Sequence, residues 1–438
     1  MFKEGQMPKS GVVLGFAVFL LCFGMTARAE EEVLQARNAE RLIARIDFSS
    51  WVPKSFKVSP DSGHLAYTVI TDGGQRVIVD GKEGKQYDEI VATSLTFSPD
   101  SKRFAYAARN GETWFVVVDG KEEKHSDFVG SLVFSPDGKH LAYAAGTGNK
   151  QRVVVDGKEE KQYDEILVNS LTFSPDSGHL AYGAGTGDKQ CIVMGGKEEK
   201  WYDFAGPPVF SPDSAHLAYA AGKSGAWFVV VDGNKGKQYD FVTSLVFSTD
   251  GRHLAYVART GALHAVVLDG KEGKRYDFAD APTFSPESTR LGYVARRATQ
   301  QFAVADGKEE KPYDFVASLV FSPNDRHLAY VAGRGARRFV VLDGKEEKHY
   351  PFAGRLTFSP DSKHLAYVAG SGAKRCVVLD DKEGKQYDCI VTLGGGRIVF
   401  DSPRRFHYLA QEGSEVYVVE NATDTLRRQS TLTREGGS

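Results

Sequence analysis

One phrase recurs along this chain with so little drift that it limits what the chain can fold into: F-S-P-D-S-K-H-L-A-Y at 358–367, with close copies before it. The aromatic that opens each copy stands at Phe97, Phe134, Phe173, Phe210, Phe247, Phe284, Phe321 and Phe358. Val58 holds the same slot in a first copy and Phe400 in a degraded last one. Between Val58 and Phe358 the step is 37 residues, or 39 at two places. A fixed period of this length marks an array whose units bury their apolar faces only against their neighbours.

Each unit repeats the same parts. An apolar segment such as SLVFS (131–135) meets S-P-D, where proline presets φ for a turn and serine and aspartate bond the turn backbone. H-L-A-Y-V-A-G follows, then a loop rich in glycine and basic residues, then F-V-V-V-D-G, a K-E-E-K or K-E-G-K turn, and a short Y-D segment. Four short strands fit that length. The second and third are apolar on both faces, as sheets sandwiched between other sheets require. The fourth is short and polar, and the alternating charges of the K-E-E-K turn read as a device that keeps an exposed edge in water. Only the loop after Y-D changes length, being two residues longer in the D-E copies at Asp88 and Asp164 than in the D-F copies.

Radial repetition of four-stranded sheets makes an all-β propeller. Counting the openings gives about ten blades in a single ring over residues 47–424, with two rings of five as the other arrangement. The ends favour closure by an N-terminal strand: R-I-D-F at 45–48 resembles the fourth strand of other copies, and the final unit lacks one. Residues 30–46 read as a short helical lead-in and 425–438 as a flexible tail.

The units F-S-P-D-S-K-H-L-A-Y followed by V-V-L-D resemble the TolB-type, WD-like propeller repeat of secreted and periplasmic bacterial proteins, and the similarity spans residues 50–422. The resemblance implies a ring whose loops contact other molecules. That repeat serves envelope scaffolds, the propellers of serine peptidases and some carbohydrate-active proteins.

The first 29 residues agree with export. Lys3 and Lys9 precede an apolar run at 11–25, and Ala27-Arg28-Ala29 supplies a cleavage site, the layout of a secretory signal peptide. The expected product begins at Glu30, is secreted or periplasmic, and has no membrane span after cleavage. A net charge of −2 for the whole chain gives no electrostatic case for nucleic acid.

Chemistry is harder to find. His64, His140, His179, His216, His253, His327 and His364 all precede L-A-Y or its equivalent. Packed sheets lie about 10 Å apart, whereas ligands to one zinc must come within about 2.1 Å of it. These histidines therefore read as strand-entry residues, and no metal or cofactor is expected. No nucleophile elbow, phosphate loop or metalloprotease helix appears, so the chain reads as a non-catalytic binding or scaffold protein, a monomer with a protein or envelope component as partner. Two other readings stay open: a carbohydrate-active lyase or glycosidase with its site in the central funnel, and a structural repeat without a specific ligand.

A binding face should break the symmetry of the repeat. The Y-D aspartates (Asp88, Asp127, Asp164, Asp203, Asp240, Asp277 and Asp314) precede the variable loop and rim a mouth, although their recurrence also fits an aspartate bonding its own turn. The loops between second and third strands grow basic at Arg296, Arg297, Arg334, Arg337 and Arg338, and Trp114 and Trp227 head third strands beside them. Arginine beside an aromatic is a common pattern at protein contacts. Finally, pairing Asp380 with Lys385 across the D-D-K-E-G-K turn sets Cys376 opposite Cys389, within disulfide reach.

Overall fold

A computed structural model of the chain describes residues 38–423. The expected signal peptide, residues 30–37 and the tail lie outside the described residues. Ten antiparallel sheets follow one another along the chain, and we number them as blades 1 to 10. Blade 8 is representative: Phe315–Phe321 is the innermost strand, Leu328–Arg334 and Arg337–Leu342 follow, and Lys345–Glu346 with a bridge from Arg338 to Tyr350 forms the outer edge. Ten apolar clusters each join two consecutive blades, including one between blades 5 and 6 and one between blades 10 and 1. The sheets therefore form one closed ring. Two rings of five would break the contacts at those two junctions.

The opening motif is a building unit. In blade 9 Ser359 Oγ donates to Asp361 Oδ1 (2.7 Å) and accepts from His364 N (3.0 Å), so the proline turn is fastened at both ends. This serine is fully buried in nine blades. The second serine reaches the preceding blade, where Ser362 Oγ accepts from Asn324 N at 3.0 Å. The histidine that follows locks a second turn: Asp380 accepts from Leu365 N (3.0 Å) and from His364 Nδ1 (2.6 Å). Six histidines are held this way, and Arg103 and Arg290 replace histidine in blades 2 and 7.

Two further devices join blades. The outer-strand tyrosine of one blade meets the L-A-Y tyrosine of the next edge-on at eight junctions, with centroids 6.1 to 6.5 Å apart. Offset and edge-on rings are favoured by their quadrupoles. The K-E-E-K turns do more than keep an edge in water. The last lysine of one turn pairs with the first glutamate of the next, as in Lys161–Glu198 (2.7 Å), Lys274–Glu309 (2.6 Å) and Lys348–Glu383 (2.6 Å), so that ion pairs belt the rim.

The ring closes through its N-terminal strand, as expected, but with different residues. The expected lead-in helix is, over Asn38–Arg45, an extended strand that pairs antiparallel with Glu415–Ala422 as the outer edge of blade 10. Of R-I-D-F at 45–48, Arg45 is the last residue of that strand and the rest lies past its end, with Ile46 buried and Asp47 opening a turn bonded to Ser49 and Ser50. The physical reason is register. With this pairing Glu40 takes the slot of the rim glutamates, 3.0 Å from Lys385 Nζ and 2.7 Å from the Tyr387 hydroxyl, and Ala44 and Ile46 enter the core between blades 10 and 1. An unpaired sheet edge outweighs the helical bias of a charged, alanine-containing segment.

The disulfide expectation is also corrected. All three described cysteines are free. The hairpin turns on Asp380 and Asp381 alone, both with positive φ (47° and 65°), which is the tight two-residue geometry favoured between twisted strands. Leu379 then faces Lys382, and Arg375 bridges Tyr387. Cys376 stays on the third strand of blade 9, whereas Cys389 falls in the first strand of blade 10, facing Gln411. Burial raises both thiols, Cys376 to about 11.

Candidate binding face

The loops after Y-D and the glycine-rich loops lie at one end of the ring and are tied together. Asp88, Asp127, Asp164, Asp203, Asp240, Asp277 and Asp314 each accept, through Oδ2, a backbone N–H from the glycine-rich loop of the sheet they lead into, at 2.6 to 2.8 Å. Asp388 does the same toward Gly413 (2.7 Å). Their partner is thus the neighbouring loop, not their own turn. Lys150 and Lys189 add ion pairs to Asp164 and Asp203. These aspartates build the mouth and are engaged in doing so.

The mouth differs from blade to blade along one cross-strand row. In blade 3 that row runs Phe128, Gly146, Gln151, Tyr163 from the inner strand outward. Where the third position is glutamine, its side-chain oxygen accepts the backbone N–H of the next blade's inner strand: Ile90 to Gln75 (2.8 Å), Ile166 to Gln151 (2.9 Å), Ala205 to Gln190 (3.0 Å) and Val316 to Gln301 (2.9 Å). Blades 2, 5, 6, 8 and 9 replace it with Trp114, Trp227, His264, Arg338 and Arg375. Among the described residues no side chain takes over that hydrogen bond.

On blades 5 to 9 these replacements meet a series that sequence reasoning missed. The residue after Y-D is Phe204, Phe241, Phe278 or Phe315, with Phe352 in the same slot after Tyr350-Pro351, and four of the five rings are more than a third exposed, an unusual state for so many phenylalanines. Trp227 lies between Phe204 and Phe241, with centroids 4.6 and 4.9 Å away. Arginine covers four of the five rings: Arg259 over Phe241 (5.7 Å), Arg296 over Phe278 (5.6 Å), Arg338 over Phe315 (4.6 Å) and Arg375 over Phe352 (5.2 Å). Phe128 is exposed as well, but carries no such partner among the described residues. The available signal was the split between D-F and D-E copies, which had been read only as a difference in loop length.

The expected arginines fall into different roles. Arg297 pairs with Glu309 (2.6 Å) over the Tyr276 ring, and Arg334 with Glu346 (2.8 Å) over the Tyr313 ring, so both belong to the rim belt. These arginines and the rim lysines hold Glu309 and Glu346 down to about 2. Arg296 and Arg338 stay on the mouth with no carboxylate partner among the described residues, and Arg337 is exposed beside them. Trp114 is capped by Arg109 (5.5 Å), whose charge Glu89 neutralises at 2.7 Å. That blade is outwardly balanced.

Elsewhere the chain is regular. Four clefts of about 370 to 500 Å³ lie between blades at the opposite end, lined by the repeated histidine and aspartate turns. Among the described residues no group of histidine, cysteine and acidic side chains is arranged to hold a metal. Asp280, on the inner strand of blade 7, accepts from Ser244 Oγ at 2.7 Å. No helix among the described residues is long and apolar enough to cross a membrane.

No protein-family model matches the chain, and no curated protein matches it. Similar solved structures include a crystal structure of a eukaryotic initiation factor, at 14% identity over 72% of this chain and 92% of that one, with a TM-score of 0.44. TolB from Acinetobacter baumannii is another, at 16% identity over 56% and 77%, TM-score 0.29. A third is the β-propeller domain of the Trilobed protease from Pyrococcus furiosus, at 14% identity over 58% and 96%, TM-score 0.30. Likeness at this level carries no function across. The ten-bladed propeller stands on the sheets and junctions described above.

Proposed function

We propose that the chain is a non-catalytic binding protein that works outside the cytoplasm as a monomer and holds a protein or envelope component against the mouth of the ring. One observation carries this reading. At the cross-strand row of the mouth, blades 5, 6, 8 and 9 exchange a glutamine that joins blades for tryptophan, histidine or arginine, and leave phenylalanine rings half in water beside them. Giving up an inter-blade hydrogen bond weakens a ring by about 1 kcal/mol at each site. Exposed aromatic rings beside arginine have the composition of contact surfaces, not of solvated ones. In blades 1 to 9 the opposite end varies only at Arg103, Arg290 and Gly195 among its histidine and aspartate turns and is the natural control.

The test is saturable retention from an envelope extract on the immobilised protein. Trp227→Ala with Arg338→Ala should abolish it, and Lys363→Ala at the opposite end should not. Equal retention by all three proteins would end the proposal. So would turnover of a polysaccharide that is lost on Asp280→Asn, since the site would then be a catalytic funnel.

A further inference from the structure

Resting on that reading, we infer that the partner presents an extended acidic polypeptide segment, laid along an arc of four arginines on blades 6 to 9. Arg259, Arg296, Arg338 and Arg375 are the relevant groups. They do not occupy the same place in the repeat. Arg259 and Arg296 stand on the second strand of their blades, and Arg338 and Arg375 on the third. All four nevertheless bring the guanidinium over the inner-strand phenylalanine of the same blade. In blades 8 and 9 the second-strand position is Gly333 or Gly370, and a Cβ there would stand 2.6 or 2.5 Å from the arginine Nη1. Two local solutions thus reach one endpoint, which points to the placement of the charge as the feature that matters.

The arc has no direct ion pairs among the described residues. Arg103, Arg109, Arg290, Arg297 and Arg334 each have a carboxylate. Among the described residues these four, like Arg337, have no ion-pair partner; Asp240, Asp277 and Asp314 at the same mouth keep their charge while accepting from backbone N–H groups, and the arginines of the arc stay outside ion-pair distance of them. Arg338 and Arg375 each give Nη1 to backbone carbonyls, of Gly335 and Arg337 and of Gly372 and Lys374, which fixes the guanidinium and leaves its other N–H donors. A row of such planar groups without ion-pair partners suits carboxylates.

The rings decide between classes of anionic chain. A sugar or a nucleic-acid base gains most from stacking on an open aromatic face. Here Arg covers a face of four phenylalanine rings, and Trp227 is flanked by one of these, Phe241, and by Phe204. The arc offers charge with an apolar border, which suits acidic residues and their apolar neighbours. Neighbouring sheets pack about 10 Å apart, so the arc spans about 30 Å, or about nine residues of extended chain.

The experiment uses the full ring and a fluorescein-labelled oligoglutamate of about 20 residues, followed by anisotropy. Saturable binding is expected, about tenfold weaker when NaCl rises from about 50 to about 500 mM. It should be lost in the variant carrying Arg259→Gln, Arg296→Gln, Arg338→Gln and Arg375→Gln, and kept in Lys363→Gln. A thermal melt confirms that the quadruple variant is folded. If it is not, Arg338→Gln and Arg375→Gln as single changes must each weaken binding. Binding that ignores these substitutions, tighter arginine-dependent binding of polygalacturonate or oligothymidylate, or no binding of oligoglutamate at all, would each overturn the inference. Retention from extract that still depends on Trp227 and Arg338 in those cases would leave the binding reading standing and remove only its acidic partner.

Discussion

Gly195 occupies the slot where eight other blades place the turn aspartate that accepts from the first residue of the second strand. Its φ of 54° matches the 47° to 53° of those aspartates, and an added Cβ would stand 4.0 Å from His179 Nδ1, an ordinary contact. Gly195→Asp should therefore supply His179 and Leu180 N with the missing acceptor, at the same left-handed backbone angle that the eight aspartates already hold. The urea midpoint should rise, by about 1 kcal/mol in unfolding free energy; a fall would show that this turn is strained in a way its neighbours are not. The cysteines make a second prediction at this scale. Alkylation after denaturation without reductant should label Cys191, Cys376 and Cys389 all three, and a mass two hydrogens short would contradict the register found here. That register was not legible in the sequence. D-D-K-E-G-K admits a four-residue or a two-residue turn, and the choice rests on Asp380 and Asp381 both taking left-handed backbone angles.

Among the elements, the N-terminal strand has the clearest consequence. Burial works against the charge of Glu40, but the Tyr387 hydroxyl and the Lys385 ammonium outweigh it and hold the carboxyl below its usual range. Glu40→Gln should loosen the closing blade more than Glu159→Gln loosens the junction it serves, where the lysine is 3.5 Å away. Hydrogen exchange of residues 415–422 would read the difference, and equal protection in both variants would mean the strand is held by its backbone pairing alone. Fold class, blade number and closure were legible because a period of 37 residues and a missing last strand are statements about topology. The identity of the closing strand was not, because N-A-E-R-L-I-A-R has no strand pattern of its own and takes its form from the edge it meets. The phenylalanine series was visible but uninterpreted. A residue after Y-D gains meaning only once the cross-strand row places it beside Arg259, Arg296, Arg338 or Arg375.

The whole ring should be sensitive to acid in a way that reports on its rim. Glu309 and Glu346 titrate near 2 against an ordinary value of 4.5, mainly through Arg297 and Arg334. Glu122, Glu198, Glu272 and Glu383 are lowered chiefly by hydrogen bonds from Lys85, Lys161, Lys237 and Lys348. A carboxyl lowered in the folded state stabilises fully above its unfolded value and loses that contribution as pH falls through its folded one. Stability should thus hold above pH 4.5 and fall steadily toward pH 2, and the double variant Glu309→Gln, Glu346→Gln should show a shallower slope in thermal melts. Parallel slopes would assign the loss to other carboxylates.

Closure by Asn38–Arg45 also orders events in the cell. The stretch that leaves the ribosome ahead of all ten sheets is the one that must wait for the hairpin of residues 405–422 before it has a neighbour to zip onto. During that interval the newborn chain carries a loose tongue at one end and an unfinished seam at the other, and two such molecules meeting early could lace together in place of each buttoning itself.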